Sequence, residues 1–321
     1  MTRKFYTLLL LLAIFQQACG QLDRETENEI DKVVEYFNNK EYNKALTYTD
    51  KLIAKDSLDY VTWTMKGRAL FNSGRQEEGI KAVNKAIEIN PDYYEAYGYR
   101  AIMSKLTGDY NAKQVLDDFE IATLHDQENF KLLKSKAGFL YMTGQYEKAL
   151  NEYDGLLKFY PNDYSIIVLH STTNSKLGKQ ELALKGYNKA IEIDSIQSFA
   201  YEQRGFLFIE QEKYEQAIKE FNKVIQLIQK NKELDPVEAY NYNNRGFAYH
   251  KAGNNKQALK DINHSLKLLS SNSYAYKNRA IVYFDMENNI KGCEDLKKAV
   301  ELGFSQQYGD EVEKLIIENC K

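Results

Sequence analysis

The chain has 321 residues, 28% of them charged and 43% hydrophobic, with a formal net charge of −3. That balance excludes a disordered polymer, and because both signs are mixed along the whole length there is no basic stripe for nucleic acid. Four scattered histidines and three cysteines leave little material for a metal or nucleophilic site, so neither a cofactor nor an enzyme activity is expected.

Arg3 and Lys4 precede an apolar run from Phe5 to Phe15, then Gln16 and Gln17, then Ala18, Cys19 and Gly20. A basic start, a short apolar core and small residues at its end describe a secretory signal peptide. The run is too short to span a bilayer, which takes about 20 residues. A small residue directly before Cys19 resembles the lipobox of bacterial lipoproteins, where the cysteine becomes the lipidated first residue. Gln16 departs from that motif, which usually has Leu there. The alternative is ordinary cleavage after Gly20, which discards Cys19. Residues 1–19 are read as a signal peptide with a lipobox-like end, and 20–25 as a short tether. Gly20, where Asp is absent after the cysteine, resembles sorting to the outer membrane.

From residue 26 the chain repeats. Ala149, Ala183 and Ala217 lie 34 residues apart, each followed four residues on by an aromatic: Tyr153, Tyr187 and Phe221. Gly144 and Gly178 keep the same step. A period of this length is one helix–turn–helix unit that buries its apolar face only by stacking on copies of itself. In chain order the units begin near Thr26, at Tyr60, Tyr94, Phe130, Tyr164, Ser198, Ala239 and Ser273. The third has two extra residues near Asn111. The sixth is seven residues longer through Lys232 to Glu238, so its second helix is expected to extend by about two turns, toward Leu234. Pro91, Pro161 and Pro236 fall where second helices should end. The array spans 26–306, and residues 307–321 form a cap built on a last helix, Asp310 to Cys320.

Trp63, Gly67, Ala86 and Pro91 of the second unit, with the matching landmarks of its neighbours, resemble the tetratricopeptide repeat. The resemblance implies an all-α fold, a right-handed superhelical solenoid of about eight repeats. The stretch from Gly292 to Ala299 and the terminal Cys320-Lys321 resemble the ends of such proteins from Bacteroidetes-type bacteria.

A charge pattern recurs inside the array. Arg100, Lys136, Arg204, Arg245 and Arg279 each precede the small residue of a first helix. The acids Asp118, Glu152, Glu220, Asp261 and Asp295 stand sixteen or eighteen residues on. Where Ala82 and Gly186 take the acid's place, the cation is Lys66 or His170. Recurrence within one chain points to a structural ion pair joining the two helices of a unit.

In tetratricopeptide repeat proteins the first helices line an inner groove that holds a partner peptide or protein. On that face the resemblance places Arg68, Phe71, Tyr99, Lys105, Lys134 and Tyr141 in the first half of the chain. In the second half it places Phe206, Ile209, Asn243, Phe247 and His250, then Lys277, Ile281 and Phe284. Large apolar residues left on an exposed face mark recognition sites. Cys293 and Cys320 are an even pair in adjacent helices, so they form a disulfide in an oxidising compartment or remain two buried thiols. The expected protein is a non-enzymatic adaptor, an outer-membrane lipoprotein of the cell envelope binding another envelope protein or peptide. Its alternatives are a soluble periplasmic or secreted scaffold and a glycan- or peptidoglycan-associated accessory factor. End-to-end self-stacking of copies stays open.

Overall fold

A computed structural model describes residues 29–108, 110–231 and 236–320. The signal segment with Cys19, the tether, and Lys232 to Leu234 lie outside the described residues. The described residues form helices and turns, without a strand. The chain makes two compact bodies, divided between Gln145 and Tyr146.

The N-terminal body runs α1 (29–38), α2 (Tyr42–Lys55), α3 (Tyr60–Asn72), α4 (Gln76–Ile89), α5 (Tyr94–Thr107), α6 (Ala112–His125) and α7 (Phe130–Met142). Each helix packs on the next, and the first helices α3, α5 and α7 also touch in sequence. Asp59 and Asn129 cap first helices through side-chain oxygens that accept backbone N–H bonds from Val61 and Leu132. Gly67 and Gly79 let α3 and α4 approach closely: a Cβ on Gly67 would lie 2.7 Å from the Gly79 carbonyl oxygen. Of the two extra residues in the third repeat, one lengthens α5 and the other its turn, which ends on the Asn111 cap of α6.

The C-terminal body starts with α8 (Tyr146–Phe159), α9 (Tyr164–Lys176), α10 (Gln180–Ile193), α11 (Ser198–Glu210) and α12 (Tyr214–Asn231). It continues with α13 (Pro236–Lys251), α14 (Asn255–Leu268), α15 (Ser273–Asp285), α16 (Asn289–Glu301), α17 (Phe304–Tyr308) and α18 (Glu311–Asn319). The extra length of the sixth repeat is shared between its own second helix and the first helix that follows: α12 has 18 residues, and α13 starts at Pro236 rather than at Ala239. Pro236 therefore opens a first helix instead of following a second one, a position where its missing N–H costs nothing. The short α17 also crosses the expected boundary at residue 306.

Packing explains the repeat. Ala149, Ala183 and Ala217 are fully buried, as are the aromatics four residues beyond them, Tyr153, Tyr187 and Phe221. The small residue admits the neighbouring helix and the ring fills the space beside it, giving the close packing of a protein interior. The turn glycines Gly144 and Gly178 adopt φ of 75° and 73°, a left-handed conformation that costs glycine nothing.

Candidate functional site

The charge pattern forms a repeated clasp with more parts than one ion pair. Arg100 donates from Nε and Nη2 to both carboxylate oxygens of Asp118 at 2.7 Å, and from Nη1 to Asn84 Oδ1 at 2.9 Å. It also lies over the Tyr97 ring. The bond to Asp118 holds its guanidinium above the usual range. Arg204, Arg245 and Arg279 repeat the arrangement with Glu220, Asp261 and Asp295, with Asn188, Asn222 and Asn263, and with Tyr201, Tyr242 and Tyr276. Each arginine so joins three helices: its own, the second helix of its repeat, and the second helix of the repeat before.

Where the forward acid is missing, the preceding repeat supplies one in place of its asparagine. Lys66 pairs with Asp50 at 2.7 Å, and His170 Nε2 lies 3.0 Å from Asp154 Oδ1. Gly186 cannot carry the acid because Ser171 occupies the space its Cβ would need. One carboxylate thus meets each of these basic side chains, on one side or the other. These residues are engaged by the fold, which leaves recognition to other surfaces.

The inner face of the N-terminal body offers such a surface. The Arg68 guanidinium lies 4.6 Å from the Phe37 ring centroid and 4.5 Å from that of Tyr99, so three successive first helices, α1, α3 and α5, meet at it. Beside it opens a cavity of about 530 Å³, floored by Glu95, Gly98, Tyr99 and Ile102 of α5. These positions fall on one helical face. Tyr93 donates its hydroxyl to Glu95 at 2.8 Å, and Tyr94 stacks flat on His125. Burial pushes the Tyr99 hydroxyl above its usual range, against the opposing charge of Arg68. Lys105, further along α5, is half-buried with Nζ 3.4 Å from the Ser135 carbonyl oxygen, and burial lowers its pKa. Lys134 lies over the Phe130 ring, and Tyr141 is half-buried. Phe71, by contrast, packs against Gly79 beside the core of Val83 and Ala86, so it is a packing residue.

In the C-terminal body several residues expected on an open face are covered. Asn243 is buried and accepts from Asn278 Nδ2 at 3.0 Å. His250 is buried with Nδ1 3.0 Å from Asn255 Oδ1. Lys277 is buried and pairs with Glu311 of α18 at 2.8 Å. Phe284 fills the space above Gly292. Asn243, His250 and Lys277 are therefore interior, because neighbouring helices lie over the positions the groove was expected to leave open, and Phe284 is half-buried. Ile209 is half-buried against Ala217 and Phe221, and Ile281 and Phe247 are half-buried. Phe206 is the most exposed of the set at 36%, with its ring edge-on to Phe221.

Glu311 stands 34 residues after Lys277, so α18 takes the place that the first helix of a ninth repeat would take. Cys293 and Cys320 are joined in a disulfide that ties the end of α18 to α16.

The cavity residues Tyr93, Tyr94, Glu95, Gly98 and His125, and the ring of Phe37, were not singled out from sequence. The available signal was Gly98, which places no side chain at a position held by Thr64 and Lys134 in the flanking repeats.

The tetratricopeptide repeat family model matches residues 60–93 and 200–231. The crystal structure of a tetratricopeptide repeat protein from Parabacteroides merdae superposes with a TM-score of 0.69 at 20% identity, over 80% of this chain and 98% of that one. Anaphase-promoting complex subunit 3 of Schizosaccharomyces pombe is 26% identical over 160 residues, 50% of this chain and 24% of its own length. A DnaJ homolog subfamily C member 3 homolog of Dictyostelium discoideum is 21% identical over 192 residues, 59% of this chain and 34% of its own. The chain thus spans about a quarter to a third of these curated relatives. It carries tetratricopeptide repeats, and its fold is the all-helical one of tetratricopeptide repeat proteins.

Proposed function

We propose that the protein is a non-enzymatic adaptor that holds another protein or peptide against the inner faces of its first helices. The observation that carries this reading is Arg68, clasped between Phe37 and Tyr99 at the edge of an open cavity. A rigid, ring-flanked guanidinium beside aromatic walls has the composition of an interface hot spot. The relatives' names, a subunit of a protein assembly and a chaperone-linked protein, agree with a binding role.

The segment from Arg3 to Gly20 supports the envelope as its site of action, with Cys19 lipidated and the repeats held at the outer membrane. The partner is then a protein of the cell envelope. Pull-down from crosslinked envelopes tests both parts. A partner recovered by wild type and lost in a folded Arg68→Ala/Tyr99→Ala variant supports the groove, with Phe247→Ala as a control that keeps it. Recovery unchanged in every variant would remove the inner face as the binding surface. Metabolic labelling with an alkyne-tagged fatty acid tests the anchor: label retained in Cys19→Ala counts against it, and a secreted, unlabelled protein favours the soluble scaffold.

A further inference from the structure

The N-terminal groove carries an arginine that stands apart from the others. Five of the six arginines among the described residues have a carboxylate partner: Arg75 with Glu78, Arg100 with Asp118, Arg204 with Glu220, Arg245 with Asp261 and Arg279 with Asp295. Arg68 has none among the described residues, and its guanidinium lies over two rings, those of Phe37 and Tyr99. The N–H donors of such a group form a planar fork that fits a carboxylate. Lys105, on the same face of α5 as Tyr99 and Ile102, likewise has no carboxylate partner among the described residues.

Three acids line the same cavity. Glu95 accepts from the Tyr93 hydroxyl, and Asp92 and Asp126 lie in the loops that rim the cavity. The cavity lining therefore holds both signs, Arg68 and Lys131 with Asp92, Glu95 and Asp126, and Arg68 is the cation that lies over two rings. Between them, Tyr99, Ile102 and Leu132 offer apolar wall to a large side chain.

We infer that Arg68 anchors an internal acidic side chain of an extended partner segment, whose neighbouring large apolar side chain enters the cavity beside Tyr99. The acid is internal because first helices stand on both sides of Arg68, α1 and α5, so a chain crossing the groove continues past the guanidinium in both directions. The inference rests on the adaptor reading and adds to it the chemistry of the partner.

Selection of a phage-displayed library of random dodecapeptides on the full protein tests it, followed by fluorescence anisotropy with enriched peptides made as C-terminal amides. The expected peptides share an Asp or Glu next to a large apolar residue. Changing that acid to its amide, or Arg68→Ala in the protein, should each weaken binding about tenfold or more. Arg68→Glu should abolish binding of the acidic peptide and restore it for the same peptide carrying Lys, a rescue that a misfolded variant would not show. Arg68→Lys should recover only part of the affinity, since the fork and the ring stacking are lost.

Enriched peptides without a shared acid, equal binding by Arg68→Ala, or binding that needs a free C-terminal carboxylate would each overturn the inference. Absence of enrichment would overturn it as well. Acid-free peptides that still depend on Tyr99 would leave the adaptor reading standing, because that reading needs the groove and not the charge.

Discussion

Asn222 accepts a 2.6 Å hydrogen bond from Arg245 although 23 residues separate the two, where 16 separate Asn188 from Arg204. The seven added residues fall entirely between these partners. About two helical turns are inserted, α12 and the start of α13 absorb them, and the clasp between the sixth and seventh repeats closes as it does elsewhere. Arg245 still reaches Asp261 at 2.6 Å. The extension therefore leaves the packing face intact.

The clasp predicts an ordering of mutational effects. Asp261 and Arg245 are both largely buried, with side-chain exposures of 5% and 17%. Asp261→Ala strands the guanidinium and should cost about 3 kcal/mol. Asn222→Ala removes one hydrogen bond to a charged group and should cost about 1.5 kcal/mol. Arg75→Ala breaks a pair exposed on both sides and should leave the urea midpoint unchanged. Urea unfolding of the three variants followed by circular dichroism checks the order, and equal midpoints for Asp261→Ala and Arg75→Ala would contradict it.

Much of this was legible in the sequence, for a physical reason. The forward acid recurs at sixteen residues, or eighteen in the third repeat with its two extra residues, because the two helices of a hairpin are joined by a turn of nearly constant length. The asparagine behind each arginine does not follow from that forward step, because it belongs to the preceding second helix, which is equally near in space. Asp50 and Asp154 follow from that same backward step. The groove was harder to read. Periodicity places Asn243 and Lys277 on the right face but does not say that α15 and α18 lie over them. The cavity at Gly98 depends on the loops around Tyr93 and Asp126, whose paths no repeat phase specifies.

Glu202 gives a pH prediction. Burial raises its pKa above the usual carboxylate value, with the hydrogen bond from Asn241 opposing. Below about pH 4, near the ordinary glutamate value, both folded and unfolded chains hold the proton and the group is neutral to stability. As pH rises the unfolded chain releases its proton first, so stability falls until the folded pKa is passed. Glu202→Gln imitates the protonated form and removes this loss. Its melting temperature should exceed that of wild type at pH 7 and match it at pH 3. A gap of the same size at both pH values would show that burial of the charge is not the cause.

Three turns are strained in a way that invites repair. Lys40, Glu212 and Glu287 adopt φ of 57°, 57° and 59° at the turn position where Gly144, Gly178 and Gly253 stand in other repeats. A side chain there costs about 1 kcal/mol or more in an L-residue, offset in part by the greater freedom of glycine when unfolded. Glu212→Gly and Glu287→Gly should each stabilise the protein by about 0.5 kcal/mol. The converse change, Gly178→Ala, should destabilise it by about 1 kcal/mol. Thermal melts of the three variants decide the matter, and destabilisation by both Glu→Gly changes would show that these side chains make contacts worth more than the strain.

The last helix is held at both ends, and the two ties can be cut separately. At its start Glu311 neutralises the buried Lys277, and at its end Cys320 is bonded to Cys293 across a separation of 27 residues. Between them Val312 is fully buried in the cluster of Ala280, Leu296 and Phe304. A loop of that length stabilises by about 3.5 kcal/mol through the unfolded state, so reduction with dithiothreitol should lower the unfolding midpoint of wild type. Cys293→Ser/Cys320→Ser should start from the lower midpoint and not respond to the reductant. Because Val312 still packs, α18 should stay helical and docked after reduction, whereas Glu311→Ala should loosen its first turn with the disulfide intact. Hydrogen exchange distinguishes the cases: fast exchange confined to residues near Glu311 in the Glu311→Ala protein supports two independent ties. Loss of protection across all of α18 on reduction alone would show that the disulfide, rather than the packed face, holds the helix in place.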